Sequence, residues 1–445
     1  MIRKYYYAMI AFLAIITITD QANAQQTTND SLVQAIQLLQ ADHDDTKTDI
    51  ELMKRLKVTG YIQAQWQLAD TAGINSFSGG NFPKNADNRF MIRRGRVKFT
   101  YDYSFSQFVL QLDATEKGVS IKDAYIAILD PWANFVTLTA GVFDRPFGYE
   151  IGYSSSTRET PERARSFQTL FPGERDLGAK ITLQPRKGTR FDFIKLDAGL
   201  IAGNGINPET DSRKDFISHL SVAKANVAQT FKYGFGLSYY NGGVLQANKF
   251  VYNDGTLTDG SAGFIVDSTS TNKNEYAKRE YMGVDAQFSL QSAIGITSVR
   301  GEYLFGKQPA ASITSQSPNT GVPIPNDTYN RNFTGGYVYL IQNIGETKNQ
   351  LVVKYDWYDP NTSVSGDQIK LKNEAGTKTN LTSADIMYTT LGLGWNYRFN
   401  SQVKFMAYYE FVKNEETGIS GSNSTNNFTK DLTDNVLTLR VQYKF

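Results

Sequence analysis

The stretch that decides the fold is the last ten residues, Val436-Leu437-Thr438-Leu439-Arg440-Val441-Gln442-Tyr443-Lys444-Phe445. Successive side chains of a β-strand point to opposite faces. One face of this strand is apolar and the other polar: Leu437, Leu439, Val441, Tyr443 and Phe445 oppose Thr438, Arg440, Gln442 and Lys444. This pattern is typical of a strand between lipid and a wet lumen, but an edge strand of a soluble sheet also alternates in this way.

The same alternation recurs from Val58 onward and predicts sixteen strands of about ten residues each. They are 58-68, 89-102, 105-114, 119-129, 134-143, 177-184, 190-203, 215-225, 230-241, 278-290, 294-306, 334-343, 349-358, 384-397, 402-413 and 433-445. Short turns follow the even-numbered strands, and most odd-numbered strands are followed by long polar loops. This asymmetry predicts an all-β fold, a 16-stranded antiparallel transmembrane β-barrel over 58-445. The first strand should begin, and the last strand end, on the periplasmic side, with the long loops outside.

The beginning of the chain predicts export. Arg3 and Lys4 precede an apolar run that ends at Ile18, and Ala22-Asn23-Ala24 follows with small residues suited to cleavage. We interpret 1-24 as a signal peptide, because the run is well short of the roughly 20 apolar residues that a membrane-spanning helix needs. Export together with a barrel predicts a protein of the outer membrane of a Gram-negative bacterium, with outer-membrane lipid as a partner.

Composition excludes several classes of protein. The chain is 40% hydrophobic, yet it contains 26 Tyr, 27 Phe and 36 Gly, which is too polar for a helical membrane protein and too aromatic for disorder. A net charge of +2 predicts no nucleic-acid partner. Cysteine is absent, and His43 and His219 are the only histidines. We therefore expect no enzyme, no cofactor and no metal site.

Residues 25-57 precede the predicted barrel and follow a helical period. The seam residues recur at alternating steps of four and three: Leu32, Ile36, Leu39, His43, Thr46, Ile50 and Met53. Such a heptad seam predicts a short periplasmic coiled coil, most naturally of three chains. The alternative is an amphipathic or disordered lead-in, because His43 and Thr46 weaken the seam.

Cations are concentrated on the second predicted strand. Arg94, Arg96 and Lys98 share its inward face, at intervals of roughly 6.6 Å. Such a row suits a pore that passes anions, because guanidinium groups bind carboxylate and phosphate oxygens. Arg93 falls on the other face in strict alternation. Either a bulge at Arg93-Arg94 turns both side chains inward, or Arg93 sits at a membrane interface and snorkels. The alternative is that these arginines pair with wall carboxylates such as Asp113, Asp285, Glu302, Asp356 and Glu410.

Several segments resemble the phosphate-selective porins O and P. They are Phe90-Met91-Ile92-Arg93-Arg94-Gly95-Arg96-Val97, Lys122-Asp123-Ala124-Tyr125, Gly141-Val142-Phe143-Asp144-Arg145-Pro146-Phe147-Gly148 and Arg175-Asp176-Leu177-Gly178. The resemblance implies a homotrimeric porin in which loop 144-176 folds into the lumen. It also implies anion contacts at Arg93, Arg94 and Arg96 and a constriction residue at Asp123, while Arg145 follows the loop motif.

The resulting functional expectation is a water-filled channel for small inorganic anions, phosphate or polyphosphate. The loop 144-176 departs from a purely cationic filter, because its five arginines stand against six acids. General anion passage, or broad passage of small solutes, therefore remains an alternative function. The rival reading is a structural or adhesive outer-membrane barrel without an open pore.

Overall fold

The computed structural model describes residues 32–47, 50, 53–318 and 327–445. The chain divides into two compact units, 1–57 and 58–445. The predicted signal peptide 1-24 lies outside the described residues. In the first unit, 32–47, 50 and 53–55 are helical; we call 32–47 helix α1, and its seam side chains at Leu32, Ile36 and Leu39 are exposed. Coiled-coil assembly of this segment stays a prediction.

The second unit consists mainly of strands. Their bounds are β1 Leu56–Ala69, β2 Asn88–Tyr103, β3 Ser106–Thr115, β4 Gly118–Leu129, β5 Val136–Asp144, β6 Arg175–Leu183, β7 Ile194–Ile201, β8 Asp215–Ala225, β9 Phe231–Leu245, β10 Val251–Thr256, β11 Ala262–Asp267, β12 Tyr276–Ser292, β13 Gly295–Ala310, β14 Thr328–Asn343, β15 Asn349–Asp359, β16 Tyr388–Arg398, β17 Val403–Asn414 and β18 Val436–Lys444. Among the described residues, no helix is long and apolar enough to cross a membrane.

Sixteen of these strands close into a barrel. Each wall strand pairs antiparallel with the next, β9 pairs directly with β12, and β1 pairs with both β18 and β2. Because β12 follows β9 in the wall, the hairpin of β10 and β11 lies outside the ring of strands. The closed ring leaves no free edge, since every strand has two neighbours. The predicted 16-stranded antiparallel barrel is confirmed.

The two faces of the wall differ as the alternation predicts. On β15, Leu351, Val353 and Tyr355 are exposed, whereas Lys354 and Asp356, on the opposite face, are buried. The outer surface is therefore an apolar belt and the inner surface is polar, as in a membrane-spanning barrel. A slip of one residue would place Lys354 against hydrocarbon, at a cost of about 2–4 kcal/mol near the midplane.

The structure differs from the predicted boundaries in the loops. The predicted loop 242-277 contains the hairpin β10–β11, and β10 runs parallel to the first residues of β14. Strand β16 begins at Tyr388 rather than at 384, because Ser383–Asp385 forms a 3₁₀ turn. The Thr382 side chain caps that turn by accepting a hydrogen bond from the amide of Ala384. Because of this capped turn, β16 begins four residues later than the alternation of side chains predicted.

The long loops pack on one another at their end of the barrel. Apolar residues from three connections and from the start of β14 form a shared cluster, which consists of Phe264, Tyr329, Val364, Ile369, Leu381, Ile386, Ile419 and Phe428. Buried Arg331 supports this layer, because its Nε lies 2.8 Å from the Asp385 carboxylate. The long loops thus form an ordered layer.

Candidate functional site

The connection between β5 and β6 lies inside the barrel. We call residues 145–174 the inward loop; it includes the short helix α2, Arg165–Leu170. Phe147, Phe167 and Phe171 of this loop are fully buried. The ring centroid of Phe171 lies 5.5 Å from that of Tyr281, on the inner face of β12. These contacts join the inward loop to the wall through an aromatic core.

The opposite side of the inward loop carries charge. Three guanidinium groups converge on the buried carboxylate of Glu162. Its oxygens lie 2.7 Å from Arg93 Nε, 2.9 Å from Arg94 Nη2 and 3.2 Å from Arg440 Nη2. We call Arg93, Arg94 and Arg440 the three-arginine cluster. One carboxylate for three cations leaves two positive charges in excess at this point of the lumen.

Barrel closure explains how distant residues form this cluster. Strand β1 lies between β2 and β18, and Gln65 on β1 pairs with Arg440 on β18. The amide oxygen of Gln65 accepts a hydrogen bond from Arg440 Nε at 2.9 Å, and that of Gln63 accepts one from Arg94 Nη1 at 3.2 Å. Polar side chains of β1 therefore hold arginines from both neighbouring strands.

Sequence reasoning missed Arg440 as a member of the site. The available signal was its place on the polar face of the last strand. That signal was insufficient, because only closure brings β18 to within two strands of β2. Arg93 and Arg94 are neighbours in sequence, yet both bind Glu162. Arg93 therefore contacts the inward loop, and a bulge at Arg93-Arg94 stays a prediction.

Arg96 and Lys98 have different surroundings. Arg96 Nε lies 2.9 Å from Asp113 Oδ2 on the neighbouring strand, and its Nη1 donates to the hydroxyl of Ser155 at 3.2 Å. Lys98 stands opposite Gln111 and makes no ion pair with any residue that the structure describes. The alternative of wall pairing thus holds geometrically for Arg96. Anion contacts at Arg96 and Lys98 stay predictions.

A bulge in β4 lets two consecutive side chains, Lys122 and Asp123, both face the inside of the barrel near the end of the inward loop. Gln111 pairs with Asp123 and Leu112 with Ile121, so Lys122 is an extra residue in the ladder. Lys122 Nζ lies 2.6 Å from the Glu174 carboxylate, and Asp123 Oδ1 lies 2.8 Å from Arg175 Nε. Asp123 is therefore an ion-paired lumenal residue, and its role at a constriction stays a prediction.

Arg145 belongs to a separate ion pair. Its Nη2 lies 2.7 Å from Asp176 Oδ2, and both side chains are buried. Asp176 also accepts hydrogen bonds from the backbone amides of Gly203 and Gly205. Arg145 thus ties the start of the inward loop to its end and to the loop after β7. Its proposed part in anion passage stays a prediction.

Cavities lie at both ends of the inward loop. At the long-loop end, a cavity of about 250 Å³ includes Phe77, Arg165 and Tyr388 in its lining. At the short-turn end, a cavity of about 520 Å³ is lined by polar and charged groups that include Gln287 and Arg300. The inward loop separates the two spaces with closely packed side chains.

Candidate catalytic groups are few. In the described part of the chain, no group of three or more His, Asp or Glu residues is placed to hold a metal ion. His219 Nε2 lies 3.0 Å from Asp285 Oδ2, and both belong to wall strands.

No family model matches the sequence, and no curated protein matches it. Similar solved structures include the outer membrane channel DcaP of Acinetobacter baumannii, at 11% identity and a TM-score of 0.49 over 88% of this chain and 97% of that one. An anion-selective porin from Comamonas acidovorans and the trimer form of OmpT from Vibrio cholerae each give 10% identity and a TM-score of 0.49, over 88% of this chain and 99% of theirs. At such values no property is carried over, and the barrel rests on its own strand pairing.

Proposed function

We propose that this protein is an outer-membrane porin whose narrow lumen passes small anions, with phosphate or polyphosphate as the preferred solute. The observation that supports the proposal is the three-arginine cluster, where Glu162 neutralises only one of three guanidinium groups. Fixed positive charge in a narrow channel raises the local concentration of anions. Guanidinium groups also offer paired donors that match phosphate oxygens.

Further cations near the three-arginine cluster add to its excess of positive charge. Lys122, Arg163 and Arg175 all bind Glu174, and Asp123 pairs with Arg175. On this side of the lumen the cations outnumber the carboxylates that bind them. An anion that passes between the inward loop and β2 would therefore meet several donors, at distances set by the protein and not by the ion.

A second candidate is a structural or adhesive barrel without an open pore. It is favoured by the dense packing of the inward loop, in which Ala164, Ser166 and Phe167 have no exposed surface. Single-channel recording in a planar bilayer distinguishes the two functions. A porin gives steady conductance steps, and a closed barrel gives none.

Anion preference is tested by the reversal potential across a potassium chloride gradient. We expect an anion-selective wild type, and loss of selectivity in the double variant Arg94→Gln, Arg440→Gln. The matched control is Arg94→Lys, Arg440→Lys, which keeps both charges and should keep the selectivity. Selectivity should weaken as salt rises, since the Debye length falls from about 10 Å at 0.1 M to about 3 Å at 1 M. A cation-selective wild type would refute the proposal.

Phosphate preference needs its own measurement. We expect phosphate to reduce the chloride current of the wild type at lower concentration than sulfate does, and the Gln double variant to lose that difference. Equal reduction by both anions would leave a general anion channel and remove the phosphate assignment.

We also propose a homotrimer in which residues 25-57 contribute a periplasmic coiled coil. The support is the exposed apolar seam of α1, because exposed apolar side chains at heptad positions gain from packing against other copies. Oligomer size in mild detergent, with and without residues 25-57, tests this. We expect a trimer that dissociates at lower temperature after the deletion. Equal dissociation temperatures would exclude a role for the seam, and a monomeric full-length protein would exclude the trimer.

A further inference from the structure

The cavity at the long-loop end has a lining unlike that of the three-arginine cluster. We call it the vestibule cavity. Its volume of about 250 Å³ lies below the roughly 300–1,000 Å³ of sites for drug-sized ligands. One part of its lining is charged, with Arg165 and Asp434, and another is apolar, with Ile313, Ile386 and Phe428. A ligand that fits this cavity is small and has both charged and apolar parts.

Arg165 presents a fixed guanidinium group to the vestibule cavity. Its Cζ lies 4.4 Å from the ring centroid of Phe77 and 3.8 Å from that of Tyr388, so the guanidinium contacts two aromatic rings. Within the described part of the chain, this group makes no ion pair, and its buried Nε has no hydrogen-bond partner. The rings hold the cation in place, and its Nε keeps a hydrogen bond to offer.

Asp434 presents the opposite charge to the same space. The residue is only 5% exposed, and its buried Oδ1 has no hydrogen-bond partner among the described residues. Arg165 and Asp434 line the cavity together without forming an ion pair within 4.0 Å. A buried charge without a partner is costly. A ligand that carries an ammonium group and a carboxylate would compensate both side chains at once.

We propose that the vestibule cavity binds a small zwitterion, an amino acid or a dipeptide. Arg165 would receive its carboxylate and Asp434 its ammonium group, while Ile313, Ile386 and Phe428 surround an apolar side chain. Charge complementarity selects this class over a free phosphate, which would face the Asp434 carboxylate. It also selects it over a neutral sugar, which would leave both charges uncompensated.

A narrow polar slot continues from this cavity towards the inward loop. It shares Phe77, Arg165 and Asp434 with the vestibule cavity and adds Arg163, Lys354, Asp356 and Glu410. Its charges are of both signs, which again suits a dipolar solute. The inference does not depend on anion selectivity, because a zwitterion site at the mouth is compatible with either an open or a closed lumen.

Binding to the detergent-solubilised full-length protein at pH 8 tests the proposal by titration calorimetry. The probes are L-leucine and glycyl-L-leucine, with N-acetyl-leucine, leucinamide and glucose as comparisons. We expect the two zwitterions to bind, and each comparison compound to bind at least about tenfold more weakly, since one charged hydrogen-bonded group contributes about 1.5–3 kcal/mol. Absence of zwitterion binding, or equal binding of glucose or the blocked compounds, overturns the proposal.

Variants then locate the site. Asp434→Asn and Arg165→Gln should each weaken leucine binding at least about tenfold. The control Lys187→Gln removes a charge from an exposed residue between β6 and β7, outside the cavity, and should bind as the wild type does. Leucine binding that survives in a folded Asp434→Asn variant overturns the assignment. Should either variant fail to show the heat-resistant barrel of the wild type, the series of blocked leucine compounds on the wild type decides.

Discussion

The two sides of the inward loop are held by opposite kinds of interaction. On one side, Phe147, Phe167 and Phe171 pack against tyrosine rings of the wall. On the other side, Glu162 and Glu174 bind cations from β2, β4, β6 and β18 and from the inward loop itself. Aromatic packing needs no exact partner, but it needs full burial. Ion pairs need specific partners, and they tolerate contact with water.

This difference assigns separate tasks to the two sides. The aromatic side determines where the inward loop lies, because buried apolar area is the larger source of stability. The charged side determines which ions approach the loop, because its cations outnumber the carboxylates that bind them. Variants on the two sides should therefore change different properties of the protein.

The largest effect is expected on the aromatic side. Phe171→Ala removes a fully buried ring and should cost about 3–5 kcal/mol in the stability of the packed inward loop. We expect a higher single-channel conductance and a lower temperature of heat unfolding, with the reversal potential unchanged. Electrophoretic heat-modifiability and bilayer recording measure these properties.

The control for this prediction is Phe405→Ala, which removes a ring of the same size from the lipid-facing surface. It should leave the conductance unchanged. If Phe171→Ala shifts the reversal potential as strongly as the conductance, the proposed division of tasks between the two sides is wrong.

A smaller effect on stability is expected on the charged side. Glu162→Gln leaves Arg93, Arg94 and Arg440 without a carboxylate. Removing one partner of a fully buried pair costs about 3–5 kcal/mol, and the 27% exposure of the Arg93 side chain should reduce that cost. The variant adds one positive charge to the cluster, so we expect a stronger anion preference in the reversal potential. A weaker preference would show that Glu162 itself faces the permeating anions.

The paired arginines of β2 give a third comparison. Replacing both Arg94 and Arg96 by Gln removes two charges and leaves Asp113 without its cation. We expect the heat-resistant barrel to persist, because Glu162 keeps Arg93 and Arg440. The reversal potential should move towards cation preference. If selectivity and phosphate block both survive the replacement, these arginines are wall residues and do not contact the permeating anion.

The smallest effect concerns Asp434 and pH. Burial raises the pKa of Asp434 to about 7; Arg165 opposes this shift, while Asp431 and Asp70 add to it. The stability from its protonated form is present below the unfolded pKa, about 3.9, and is lost as pH rises through 7. The Asp434→Asn variant should therefore unfold at the wild-type temperature at low pH, and at a higher temperature than the wild type at pH 8.

The control for that pH dependence is Asp130 in a short turn. Backbone amides of Val136, Phe135 and Ala133 lower the pKa of this carboxyl to about 2. Between pH 5 and pH 8 its ionisation is constant, so Asp130→Asn should shift the unfolding temperature equally at both values. A difference between Asp434→Asn and the wild type that is the same at pH 5 and pH 8 would contradict the assigned titration.

Strand prediction succeeded where the pattern is local. Alternation on β15 and β18 is imposed by lipid on one face and a polar lumen on the other, so each strand carries its own signal. The hairpin β10–β11 was missed because this local signal is absent there. It lies outside the wall, where no lipid enforces alternation, and Asn253, Asp254 and Gly255 indicated a loop.

The candidate site was predicted only in part. The polar face of β2 indicated Arg94 and Arg96, and Asp113 was among the alternative wall partners. Glu162, which binds Arg94, could not be found from any spacing along β2. Arg165 carried no signal either, because its aromatic neighbours are far from it in sequence: Phe77 lies in the loop after β1 and Tyr388 begins β16. Such contacts depend on the folded path of the loops.

The sequence by itself determined the number of barrel strands, which face of each strand meets lipid, and which end carries the long loops. These properties follow from a two-residue period and from turn lengths, and both can be read locally. Only the tertiary structure decided which charges are neutralised. Closure of β18 on β1 placed Arg440 near Arg94, and the folding of residues 145–174 into the lumen placed Glu162 beside both arginines. Pairing of this kind depends on distances in space between residues that are far apart in the chain.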